Sequence, residues 1–289
     1  MDIDEDKILK IWSRIVKLET DRYIVDLYEP SYHILSFGGG RQTVALLLKM
    51  RKLFSNNSNA YVVFADTGGE HQETYDYMDD YIVPFCKANN IKFVRVYNKY
   101  GKTLYDYCWD KKIVPSIKFR DCTSKFKIAP IRKFLRQELK IDRKHPCNMY
   151  IGISYDESDR MNPSNVKYAK SVYPFVDGYR NYCESGLTLD DCVNIVIAEG
   201  FPPVPKSGCY FCPFAKTMDL LDPRYNAKTI ALEENNSRFP EIKLRGMGKN
   251  VKTVKELSKD DVSRDGCKSG YCMVWFETYT GIIMLQWVR

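Results

Sequence analysis

Apolar residues follow two rhythms along this chain, and the alternation between the rhythms predicts the fold. Ile34-Leu35 and the run Ala60-Tyr61-Val62-Val63-Phe64-Ala65 are short, continuous apolar stretches, the form a strand takes when both its faces are buried. Residues 92–96 and 149–154 predict two more strands. Between them come helical segments: Val44-Ala45-Leu46-Leu47-Leu48 running on to about Leu53, then Tyr75, Met78, Ile82 and Phe85, then a basic helix over 128–139. Strands alternating with helices predict an α/β fold with a doubly wound, mostly parallel sheet. Residues 187–198 predict a short helix capped by Thr188, with Asp190 and Asp191 in its first turn. At the ends, Ile8, Ile11, Trp12, Ile15 and Val16 predict an amphipathic helix, 227–235 a further helix, and 273–287 two β runs around Thr280-Gly281. The expected division is an N-terminal helical segment over 1–30, a nucleotide-binding domain over 31–180, and a smaller cysteine-bearing region over 181–289.

Composition adds compartment and partners. With 289 residues, 44% hydrophobic and 28% charged, the chain suits a soluble globular protein with a sizeable core. No apolar run approaches the roughly 20 residues of a membrane span, and the acidic start is unlike a secretion signal. A cytoplasmic protein that meets no membrane is expected. Ten cysteines in such a chain point to metal or redox chemistry rather than to disulfides. The net charge of +7 is unevenly spread: residues 92–144 hold 16 Lys and Arg against 5 Asp and Glu. That basic block predicts a polyanionic partner, either nucleotide phosphates, sulfate or a nucleic acid backbone.

The densest chemical signal is Ser36-Phe37-Gly38-Gly39-Gly40-Arg41-Gln42-Thr43, set between a strand and a helix. Glycines let the backbone turn sharply and approach a ligand, while the helix N-terminus offers unpaired N–H groups and a positive dipole end. Arg41, Gln42 and Thr43 add donors, so the loop suits phosphate. It is neither a Walker loop nor a dinucleotide fingerprint, since the required Lys-Ser/Thr ending and third glycine are missing. Four more strings follow in order: Asp66-Thr67-Gly68-Gly69-Glu70; Arg120-Asp121-Cys122-Thr123 leading to Phe126-Lys127; Gly152-Ile153-Ser154 leading to Asp156, Glu157 and Arg160; and Gly186-Leu187-Thr188 with Cys192, then Cys209-Tyr210-Phe211-Cys212-Pro213.

Over residues 33–214 these strings resemble the phosphoadenylyl-sulfate reductase family of the adenine nucleotide alpha-hydrolase (PP-loop ATP pyrophosphatase) superfamily, within a phage-associated, reductase-like branch. Gln42 stands where that loop usually has an aspartate. The resemblance implies binding of ATP or an adenylyl nucleotide through Ser36, Phe37, Gly38, Gly39, Gly40, Gln42, Thr43, Asp66, Thr67, Gly68, Glu70 and Gly152. Arg41, Asp66, Lys127 and Arg160 are the implied catalytic residues, and Mg²⁺ would balance phosphate charge. Cys209 and Cys212 have a spacing shared by zinc and iron–sulfur sites. The following proline and the resemblance favour a 4Fe-4S cluster, with zinc as the alternative, and Cys122 and Cys192 as the remaining ligands. Cys267 and Cys272 are the rival pair. Cys86, Cys108, Cys147 and Cys183 read as inert core thiols.

The implied activity is adenylation-dependent sulfur transfer, onto nucleic acid if the basic block is its docking surface. Sulfonucleotide reduction is the second choice, because the catalytic Glu-Cys-Gly-Leu-His tail of true reductases is missing. A non-catalytic nucleotide or nucleic acid binder keeping the fold is the third. A sulfur-donor protein and a second copy of the chain complete the expected partners.

Overall fold

The structure is a computed structural model that describes residues 30–264 except 163 and 165. The expected helix near the N-terminus, the β runs over 273–287, and Cys267 and Cys272 lie outside the described residues.

Five parallel strands form one sheet: β1 (Tyr32–Phe37), β2 (Ala60–Asp66), β3 (Lys92–Tyr97), β4 (Cys147–Ile151) and β5 (Ala169–Val172), in the order β3-β2-β1-β4-β5. Register runs His33 beside Ala60 on one side of β1 and beside Asn148 on the other. The three inner strands, β2, β1 and β4, are largely apolar because helices cover both faces. Leu35, Phe37, Val62 and Phe64 point into one core, shared with helix α1 (Arg41–Lys49) and with α2 (Gln72–Tyr77), which continues through Met78–Ile82 and Val83–Ala88. Ile34, Val63 and Ala65 point into the opposite core, under Ile128, Ile131, Phe134 and Leu135. The sheet is therefore doubly wound, as its strand pattern predicted.

The basic helix is longer than its periodicity suggests. It starts at Asp121–Thr123 and runs through Ser124–Ile128, Ala129–Lys133 and Phe134–Glu138. We label this helix α4, after α3 (Leu104–Lys111). Wider π turns at Ser124–Ile128 and Phe134–Glu138 blur its 3.6-residue spacing. Cys122, expected in a loop, lies instead in the first turn of this helix. Helix α5 (Leu189–Ala198) starts with the expected cap: Thr188 Oγ1 accepts from Asp191 N–H, and the Asp191 carboxylate accepts from Thr188 N–H. It packs on α1 through Cys192 and Val196, so this first helix beyond residue 181 shares the sheet's own core. A third core joins α3, Phe126, Cys209–Phe211 and α6 (Asn226–Glu234).

The strand order reverses between β1 and β4. Crevices at such switch points, beyond the carboxyl ends of the strands, are where open α/β sheets hold ligands. Both flanking strands end in glycine-bearing turns.

Candidate functional site

At the switch point the backbone itself is the binding device. Gly39 takes a φ of +71°, a left-handed turn that places Gly40 as the N-cap of α1. No side chain caps this nine-residue helix, so its first N–H groups are left for a ligand. The loop is packed tightly from behind. A β-carbon on Gly39 would lie 2.9 Å from the Thr74 methyl, and one on Gly152, at the end of β4, 2.9 Å from Thr43 Cγ2. Thr43 Oγ1 donates to the Gly40 carbonyl at 3.0 Å, and Ser36 and Phe37 are buried. These three residues shape the loop, while Arg41 is exposed beside it.

Gln42 owes its identity to a neighbour. Its Nε2 donates to Glu157 Oε2 at 2.9 Å, and the same Oε2 accepts from Arg160 Nη1. Glu157 and Arg160 are both buried. A carboxylate at position 42 would face another carboxylate, so the neutral amide is the residue that fits. Arg160, one of the implied catalytic residues, pairs with Glu157 and reaches the loop through it.

The turn after β2 is held by its own acid. Asp66 Oδ1 accepts from Gly68 N–H at 2.8 Å and from Tyr75 Oη at 2.8 Å. Burial and that carboxylate together push the Tyr75 phenol well above its usual range. Gly68 has a φ of +65°. Thr67 Oγ1 accepts from Gly69 N–H at 3.2 Å and lies 3.3 Å from Cys209 Sγ.

That last contact joins two distant parts of the chain. Glu70 and Cys209 form an antiparallel bridge, with Tyr210 N–H on the Gly69 carbonyl and His71 N–H on the Gly208 carbonyl. Glu70 is buried. Its Oε1 accepts from Lys127 Nζ at 3.2 Å and lies 3.7 Å from Cys209 Sγ. Oε2 is buried with no hydrogen-bond partner among the described residues. Lys127, expected on nucleotide phosphate, is thus the counterion of Glu70. His71 packs edge-on against Tyr225, and burial lowers its pKa.

Cys122, Cys209 and Cys212 line one pocket, together with Arg120, Lys127 and Thr67. Cys192 is not among them. It is fully buried in the first core, on α5, where desolvation drives its thiol pKa up. Of the four cysteines expected around one metal, Cys122, Cys209 and Cys212 are brought to one pocket and Cys192 is not. A helix spacing cannot report which face of a sheet the helix covers. Cys86, Cys108, Cys147 and Cys183 are buried, and desolvation pushes each thiol up to about 12, as inert core cysteines require.

Sequence reading missed Glu157 as the partner of Gln42 and Glu70 as the partner of Cys209. The i, i+3 spacing of Glu157 and Arg160 was a usable signal for the first. The second joins residues 139 positions apart and had no local signal.

Residues 32–145 match the phosphoadenosine phosphosulfate reductase domain. A protein of Methanocaldococcus jannaschii, itself described as uncharacterized, is 25% identical over 226 residues, covering 75% of this chain and 52% of the relative. The chain thus spans about half the length of that curated relative. Among solved structures, phosphoadenylyl-sulfate reductase from Candida auris in a phosphate complex aligns at a TM-score of 0.41 and 12% identity, over 71% of this chain and 91% of that one. The U34-tRNA thiolase NcsA from Methanococcus maripaludis, with its [4Fe-4S] cluster, aligns at 0.42 and 16%, over 84% and 81%. Residues 32–145, from β1 to the threshold of β4, are thus the part of the chain that resembles the phosphoadenosine phosphosulfate reductase domain.

Proposed function

We propose that this protein is a PP-loop enzyme that uses ATP to adenylate an oxygen of its acceptor, and then replaces that oxygen with sulfur. The observation that carries the reading is the bridge between Glu70 and Cys209, which seats the thiol pocket beside the turn that ends β2. Ser207 comes close as well, since a β-carbon on Gly40 would lie 2.6 Å from its Oγ. On this proposal the phosphate loop and the thiol pocket are two parts of one site.

In this reading the acceptor oxygen attacks the α-phosphorus of ATP and pyrophosphate leaves. The N–H groups opening α1 and the Arg41 guanidinium hold the departing charge. The Glu157–Arg160 pair fixes Gln42 and keeps the loop rigid. The Asp66 carboxylate would help to hold a Mg²⁺ ion, which would offset the charge of the phosphates. A sulfur nucleophile then displaces AMP from the activated carbon.

The donor set suits an iron–sulfur cluster. Cys122, Cys209 and Cys212 are three soft ligands, and Arg120 and Lys127 offset the charge of thiolates. Among the described residues no three His, Cys, Asp or Glu stand close enough to hold a single metal ion. When bound, a cluster would supply a site where inorganic sulfur is held for transfer.

Pyrophosphate release from ATP, measured with and without nucleic acid, tests the proposal. Release stimulated by an acceptor is expected, whereas reduction of a sulfonucleotide with no ATP turnover would favour the reductase reading. Anaerobically purified protein should be brown, with iron and sulfide in equal amounts and colour lost in Cys212→Ser. A colourless protein carrying one zinc per chain would overturn the cluster.

A further inference from the structure

Beyond the thiol pocket lies a second cavity, of about 330 Å³, that shares Cys122 as part of its wall. Its lining is largely apolar and includes four aromatic rings: Tyr107 from α3, Phe126 from α4, Phe119 from the loop before α4, and Phe239 from the C-terminal region. Two of these rings are open to solvent, Phe119 at 58% and Phe239 at 41% exposure. Exposed rings around a cavity mark a binding surface more often than a packing defect.

The charges around these rings are as specific as the rings. Lys118 Nζ sits 5.7 Å above Phe119, the Arg238 guanidinium 5.4 Å from Phe239, and Lys125 Nζ 5.8 Å from Tyr107. Lys125 is also paired with Asp121 at 2.6 Å. Polar groups inside are few: Ser116, Asp121 and Glu241. The cavity therefore offers flat apolar faces, a small number of edge donors and acceptors, and cations at the rings.

We infer that this cavity receives an unpaired nucleobase of a single-stranded nucleic acid and brings it against Cys122. A base is flat and aromatic, stacks on Phe and Tyr rings, hydrogen-bonds at its edge, and carries a phosphate on each side for Lys118 and Arg238. An apolar peptide would satisfy the rings and leave the cations without an anionic partner. The inference rests on the sulfur-transfer reading and gives its acceptor a seat.

The test uses the full-length protein, prepared anaerobically, with fluorescein-labelled oligo(U) RNA and oligo(dT) DNA, read by anisotropy at low salt. Parallel 5-iodouracil oligomers are photocrosslinked and mapped by mass spectrometry. Crosslinks at Tyr107, Phe119 or Phe239 are expected, and Phe119→Ala or Phe239→Ala should weaken binding by about tenfold or more, since stacking of one base is worth ~1–3 kcal/mol. Both rings are exposed, so truncation should leave melting unchanged. Whichever oligomer binds tighter identifies the sugar. Crosslinks on another face, with both variants binding normally, would overturn the cavity assignment and leave sulfur transfer standing. ATP turnover without binding of either oligomer would overturn the nucleic acid acceptor, and the cavity assignment with it. Binding that depends on Phe119 and Phe239 without any pyrophosphate release would uphold the cavity and sink the enzyme reading.

Discussion

At the scale of single residues, the departure of Gln42 from the usual loop is resolved by Glu157. The carboxylate that the loop lacks in sequence stands 2.9 Å away in space, already engaged by Arg160. Gln42→Glu should therefore set two carboxylates against each other and weaken ATP binding by about tenfold, a modest fraction of the Coulomb cost at that distance. Adding Glu157→Gln should restore part of the loss, which equilibrium binding to the two variants and their combination can measure as a coupling. Thiol reactivity separates the cysteines in the same way. In metal-free protein at pH 8, iodoacetamide should label the half-buried Cys122 and Cys212 well before Cys86, Cys108, Cys147, Cys183 or Cys192. Peptide mass spectrometry over a time course reads the order, and early labelling of Cys192 would reverse the exclusion of that residue from the pocket.

At the scale of elements, the phosphate loop is a strained turn backed by a helix. Gly39→Ala would put a β-carbon on a left-handed backbone and 2.9 Å from Thr74 Cγ2, so it should cost about 1–3 kcal/mol and lower the melting temperature by several degrees. Arg41→Ala changes an exposed side chain outside the turn. It should melt like the parent and bind ATP more weakly, which makes it the cleaner probe of phosphate binding by calorimetry. The same elements show why much of the sheet was legible. β1, β2 and β4 are inner strands covered by helices on both sides and therefore read as apolar runs, while the edge strand β3 was marked by Phe93, Val94 and Val96. β5, Ala-Lys-Ser-Val at the sheet edge, carries no such run and was missed. Helix α3 was missed too, because its Tyr, Cys and Trp residues give no clear stripe. Glycine loops announce themselves locally, whereas the pairing of Cys209 with Glu70 depends on how the third core folds back on β2.

At the scale of the whole molecule, the buried thiols set a limit on alkaline stability. Cys86, Cys108, Cys147 and Cys183 ionise near 9 when unfolded and are pushed up to about 12 when folded. The unfolded chain then loses protons that the folded chain keeps, so stability is full below about pH 9 and falls as pH rises toward 12. Each thiol contributes a loss of about 1.4 kcal/mol per pH unit in that window. Urea midpoints measured from pH 8 to 11 should fall steeply, and a flat profile would contradict the burial of these cysteines. Among the described residues no helix is long and apolar enough to cross a membrane.

The bridge between Glu70 and Cys209 also orders events in time. Closing a loop of 139 residues costs about 4 kcal/mol of chain entropy, before any contact within it forms. A ribosome delivers β1, β2 and the phosphate loop long before Cys209 exists as a residue. The nascent chain can thus form its phosphate loop while Cys209 and Cys212 of the thiol pocket are still to come. On the sulfur-transfer proposal, the chemistry would become available only when the segment bearing Cys209 docks beside β2, so the fold would withhold reactivity from the incomplete chain.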